Sequence, residues 1–147
     1  MAVPLAKLAG QASEEAVALA RSILERDVAD RLWADQVGPA LSQQDVARLL
    51  GKSEQAVSKD HRLVRLRTAE GRPVYPVAQF DGRGVLPGVA EVVAVLGPVA
   101  ATPWTVAAWL TGSHAALDGR RPVDALRSGD EAAVAGAARR FAARLAR

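Results

Sequence analysis

The stretch from Leu41 to Ser58, LSQQDVARLLGKSEQAVS, restricts the fold more than any other part of the chain. Ser42 precedes a run in which Val46, Ala47 and Leu50 recur at helical spacing, and a serine hydroxyl at that place accepts a hydrogen bond from the open first turn. Gly51 permits the left-handed backbone that stops such a helix. Ser53 then caps a second short helix, with Ala56 and Val57 expected to face inward. A small residue, Ala47, lets the two helices approach closely at a steep crossing, so the segment predicts a helix-turn-helix. Its second helix would expose Gln55, Ser58, Lys59 and Arg62, with Ser53 at its start, to base edges and phosphates. Two short capped helices around a glycine also occur in domains that never touch DNA, so the pattern alone leaves both readings open.

The residues that follow extend the same expectation. Leu63 to Arg67 and Arg72 to Pro76 flank the four-residue turn Thr68-Ala69-Glu70-Gly71, a β-hairpin signature in which the prolines are expected to keep the second strand at an edge. A hairpin there is a wing, with Arg65, Arg67 and Arg72 placed to meet backbone phosphates. Charge follows this division. Residues 46–85 carry 8 basic and 4 acidic side chains, whereas 1–45 carry 4 and 7, 86–113 carry 0 and 1, and 114–147 carry 7 and 4. A local basic excess suits an anionic partner. Arginine outnumbers lysine 16 to 3; guanidinium recognition of phosphate or carboxylate would explain this, but codon composition explains it better, because the alanine excess points the same way.

With 31 alanines and only 6 aromatic residues in 147, the interior must be built from small and branched side chains on closely packed helices, and the fold class is expected to be mostly α. Val17, Ala20, Ile23, Leu24, Val28 and Leu32 mark an amphipathic helix from Ser13 to about Ala34. Pro87 and Gly97-Pro98 bracket another helix, Thr102-Pro103 starts one that carries Trp104 and Trp109 as core anchors, and Pro122 starts a short one. Ser128-Gly129-Asp130 breaks the chain before a last helix with Val134, Ala138, Phe141 and Leu145 on one stripe. Three regions result: an N-terminal helical segment (1–40), a winged helix-turn-helix-like region (41–84) and a compact helical domain (85–147). No cysteine is present, and the two histidines, His61 and His114, leave little for metal or general-base chemistry. No phosphate-binding glycine loop, nucleophile elbow or metalloprotease motif occurs, so neither catalytic residues, metal ligands nor a cofactor are expected. No apolar run approaches the roughly 20 residues that span a bilayer, and the start lacks a secretory signal, so a cytoplasmic protein is expected.

Trp109-Leu110, then Leu117-Asp118-Gly119-Arg120-Arg121-Pro122-Val123-Asp124-Ala125-Leu126, Gly129 and a closing helix resemble the toxin-binding domain of Xre/MbcA/ParS-type antitoxins. Tyr75-Pro76-Val77-Ala78-Gln79-Phe80 is similar to the Tyr-Pro-x-x-Gln-Phe element that joins the DNA-reading half to that domain in one branch. The resemblance implies an antitoxin that inhibits a cognate RES-domain, NAD-consuming toxin and binds its own promoter. It implies toxin contacts from Trp109, Asp118, Arg120, Arg121, Arg140, Arg144 and Arg147, either plugging the toxin's cleft, with Arg139 beside them, or covering its entrance. The alternative is a stand-alone transcription regulator without a toxin. In both cases a homodimer on operator DNA is expected, because one recognition helix reads few base pairs.

Overall fold

The computed structural model describes residues 37–147 together with Asp35. The helix expected from Ser13 to about Ala34 therefore lies outside the described residues, as does most of the 1–40 segment. The described chain is mostly helical with a small antiparallel sheet. It runs β1 (Ala40–Ser42), α1 (Gln43–Leu50), α2 (Glu54–Ser58), β2 (Leu66–Arg67), β3 (Pro73–Pro76) and a 3-10 turn at Val77–Gln79. A two-residue hairpin pair, β4 (Phe80–Asp81) and β5 (Gly84–Val85), leads into α3 (Val89–Leu96) and α4 (Pro103–Thr111). A second 3-10 turn at Ala115–Leu117, then α5 (Pro122–Arg127) and α6 (Glu131–Leu145), complete the chain.

The main sheet has the order β1-β3-β2, with Leu41 opposite Tyr75 and Leu66 opposite Val74. This corrects the expected edge position of the proline-bearing strand: β3 is central. Pro73 and Pro76 are its first and last residues, so the missing N–H groups fall at the ends of the ladder, and Val77 N–H donates to Pro39 at 2.9 Å just beyond. β1, which occupies the other side of β3, has no period-2 signature because it is only three residues long.

Two apolar clusters form the interior. The smaller joins Val46, Ala47, Val57, Leu63, Tyr75 and Phe80. The larger gathers Leu86, Val89, Val92 and Leu96 with Trp109, Leu110, Val123, Leu126, Val134 and Ala138, and it also takes in Val64 and Leu66. Leu63 and its neighbour Val64 thus belong to different clusters. α3 packs along α6, where the small Ala137 and Ala138 allow close approach. Two expected details differ. Pro87 precedes rather than opens α3, because Gly88 at φ 96 is its N-cap. A Cβ at Gly88 would collide with Leu126, so this position combines a left-handed backbone with a tight contact. Leu145, placed on the apolar stripe by spacing, is 40% exposed beyond the reach of the core. No helix among the described residues is long and apolar enough to cross a membrane.

Candidate nucleic-acid interface

α1 and α2 are set by two serines and a glycine. Ser42 Oγ accepts from Asp45 N–H at 3.1 Å, and Ser53 Oγ accepts from Ala56 N–H at 3.1 Å. Between them Gly51, at φ 64, closes α1, and Lys52 N–H returns to the Ala47 carbonyl at 3.0 Å. The helices meet through Val46, Ala47 and Val57. Ala56, expected inside, is exposed; α2 has one turn and a half, and Val57 alone satisfies its inward face.

The outward side of α2 therefore presents Glu54, Gln55 and Ala56, with Lys59 just after it. Of the residues predicted to read DNA, Gln55 and Lys59 are exposed, and the side chain of neither is bonded within the described residues. Ser53 uses its oxygen as the cap but keeps its hydroxyl proton to donate. Ser58 is half-buried and donates to the Gln55 carbonyl at 2.8 Å. Arg62 is held by Asp60, donating from Nε at 2.9 Å and Nη2 at 2.8 Å. Lys52 Nζ lies 3.6 Å from the same carboxylate. The Arg62 hydrogen bond, against the opposing effect of burial, lowers the Asp60 pKa to about 2. Arg62 thus serves first to cap this turn. Asp60, where the chain leaves α2, and Lys52, in the turn before it, were not anticipated; only the short spacing of Asp60 and Arg62 hinted at the pair.

The hairpin places the other cations. β2 and β3 are joined by a turn in which Gly71 N–H donates to the Thr68 carbonyl at 2.8 Å and Gly71 itself has φ 83. That is a type I turn followed by a left-handed residue, the three-residue hairpin loop in which glycine is favoured. Arg72 N–H donates to Thr68 Oγ1 at 3.2 Å. The Glu70 carboxyl, hydrogen-bonded by its own backbone N–H and the Thr68 hydroxyl, has a lowered pKa. Arg67 and Arg72 are exposed; Arg67 donates to the Gly71 carbonyl at 3.0 Å. Arg65 is half-buried and reaches back from Nη1 to the Ser58 carbonyl at 2.9 Å, fixing the end of α2 to the approach of β2. Among the described residues, Lys59, Arg65 and Arg67 are left without a carboxylate partner, while Arg72 lies close enough to Glu70 to help lower its pKa.

Behind this surface the sheet is anchored by buried polar contacts. The Tyr75 hydroxyl donates to Gln43 Oε1 at 3.1 Å, and burial raises its pKa. The Gln79 side chain, 1% exposed, accepts from Val64 N–H at 2.8 Å and donates to the Val64 carbonyl at 2.9 Å. The Tyr75–Phe80 element is therefore a structural join in which Tyr75, Gln79 and Phe80 are buried while Val77 is exposed.

The second predicted set is dispersed. Trp109 is 4% exposed, stacked on His114 at 5.0 Å and 6.2 Å from Phe141, so it is an interior residue and not the surface contact the resemblance implies. Its carbonyl accepts from His114 Nε2 at 2.7 Å, which places that proton on Nε2. Arg120 pairs with Asp130 at 2.7 Å, and Arg121 grips Asp124 with bonds of 2.8 and 3.0 Å, lowering the Asp124 pKa. Arg139 pairs with Glu91 across the α3–α6 seam. Asp118 is exposed in a left-handed turn at φ 56. Arg140, Arg144 and Arg147 are exposed, with Arg144 lying 5.7 Å from the Phe141 ring. Among the described residues no cluster of histidine and carboxylate side chains could hold a metal ion.

No protein-family model and no curated protein matches the chain. Among solved structures it is similar to the NMR structure of Rv2175c, at 26% identity and a TM-score of 0.60, covering 71% of this chain and 81% of that one.

Proposed function

We propose that this chain is a DNA-binding transcription regulator, with α1 and α2 as a helix-turn-helix, β2 and β3 as its wing, and no catalytic role. The observation that carries the reading is the outward face of α2, where Gln55 and Lys59 stand exposed and unengaged among the described residues, beside a hairpin whose Arg65 and Arg67 lack described carboxylate partners and whose Arg72 is exposed. α2 enters the major groove with Gln55 toward a base edge, while Lys59 and the hairpin arginines meet phosphates. The protein acts in the cytoplasm as a two-fold pair on a palindromic site.

Fluorescence anisotropy on duplex DNA across a salt series tests this. Lys59→Ala lowers affinity about equally for every sequence and reduces the slope of log K against log salt by about 0.9. Gln55→Ala relaxes preference at one base pair by about 1–3 kcal/mol. Binding that ignores salt and both substitutions overturns the reading.

A second reading, an antitoxin that also holds a RES-domain toxin, draws on the exposed Arg140, Arg144 and Arg147 at the end of α6. Replacing Arg144 and Arg147 by glutamate would then weaken a complex with the product of the adjacent gene; no complex at all removes this reading and leaves the first intact.

A further inference from the structure

A cleft of about 480 Å³ separates the Ser58–Arg67 segment from the stretch Gly97–Val106 that leads into α4. Its size is that of a small-molecule site. Its two walls differ in chemistry. One carries His61, Arg65 and Arg67; the other carries Val93, Ala100, Ala101, Pro103 and Trp104, with Val64 and Leu66 contributing further apolar surface. The one carboxylate of the lining, Asp60, is already neutralised by Arg62 and Lys52, so its charge does not oppose an anion there. Arg65 and Arg67 each commit one Nη1 to a backbone carbonyl, Ser58 and Gly71, which orients the guanidinium groups and leaves further N–H donors on each.

We infer that this cleft binds a small organic carboxylate with a flat apolar body, its charge on Arg65 and Arg67 and its body against the Trp104 wall. Planar guanidinium groups match a carboxylate, and a desolvating apolar wall strengthens that pairing while rejecting a bare inorganic ion. The site joins the end of α2 to β2, so its occupant acts on DNA binding; that consequence, but not the binding itself, rests on the function proposed above.

The test is an amide NMR titration of the full chain with 2-naphthoate, and in parallel with 2-naphthamide, which has the same rings and no charge. Saturating shifts are expected for naphthoate at Asp60–Arg67 and Gly97–Val106, with naphthamide about tenfold weaker or more. Arg67→Gln brings naphthoate down to the naphthamide level. Ala101→Trp fills the cleft from the other wall, touches neither arginine, and abolishes both titrations; unchanged amide peaks outside the cleft verify that each variant is folded. Absence of saturation in the low millimolar range, equal affinity for the two probes, or naphthoate shifts that survive Ala101→Trp overturn the site. Anisotropy on duplex DNA with and without naphthoate separates the two claims. DNA affinity that falls supports the coupling, and DNA affinity that is present but indifferent overturns it. If no DNA is bound at all, the proposed function fails while the titration still decides the site.

Discussion

The two basic regions of this chain hold nearly equal numbers of basic side chains, 8 and 7, yet engage different shares of them in ion pairs. From Lys52 to β3, Lys59, Arg65 and Arg67 have no carboxylate partner among the described residues, Arg72 has only Glu70 nearby, and Arg62 and Lys52 share Asp60. From Arg120 to the C-terminus, Arg120, Arg121, Arg127 and Arg139 have one, in Asp130, Asp124 and Glu91, while Arg140, Arg144 and Arg147 stand exposed at the end of α6. Surplus charge thus becomes mostly available charge in the first region, whereas in the second four of seven arginines are held in ion pairs and the other three are gathered at the end of α6. A local count of basic residues cannot distinguish these outcomes; the placement of the carboxylates does.

The sharpest challenge to the comparison is Trp109→Ala. If the second region is a packed interior, this change costs about 3–5 kcal/mol of stability in urea unfolding. A variant that keeps its stability and loses only a partner would make Trp109 a contact residue. Next comes Gln79→Leu, which strips both partners from the Val64 backbone and lowers stability by about 2–4 kcal/mol, measured the same way.

Smaller effects separate the arginines. Arg121→Ala changes stability by about 1 kcal/mol or less, because its pair is largely solvent-exposed, and leaves DNA affinity alone. Arg72→Ala leaves stability unchanged and weakens DNA binding with a shallower salt slope. Equal effects of the two on DNA would erase the distinction. The smallest effect is on pH. Asp60 titrates at about 2 in the fold against 3.8 ordinarily, so its stabilising contribution is complete above about pH 4 and is lost as pH falls through 2. Asp60→Asn removes that part of the acid sensitivity, seen as a flatter dependence of the urea midpoint on pH.

Much of the architecture was readable where local chemistry acts alone. Ser42, Gly51 and Ser53 cap and stop helices through their own backbones, Pro122 opens α5, and Gly71 supplies the left-handed residue of the hairpin loop. What escaped depends on distant partners. β1 exists because Tyr75 and its neighbours offer it an edge, and β3 is central for the same reason. Ala56 faces out because Val57 already fills the inward side of a helix too short for two. The candidate site divides likewise. Gln55 and Lys59 follow from helical position, whereas the capture of Arg62 by Asp60 depends on the loop after α2. The Tyr75–Phe80 element stood out only by resemblance; its glutamine has a physical reason visible once Val64 lies opposite.

That glutamine sets how the molecule can deform. Its amide pairs with the N–H and the carbonyl of one residue as a neighbouring strand would, where the backbone passes from the Leu63 cluster to the Val64 cluster. A natural pivot between the halves is thereby riveted shut. Bending there breaks two shielded bonds together, so strain applied to either half is carried across into the other.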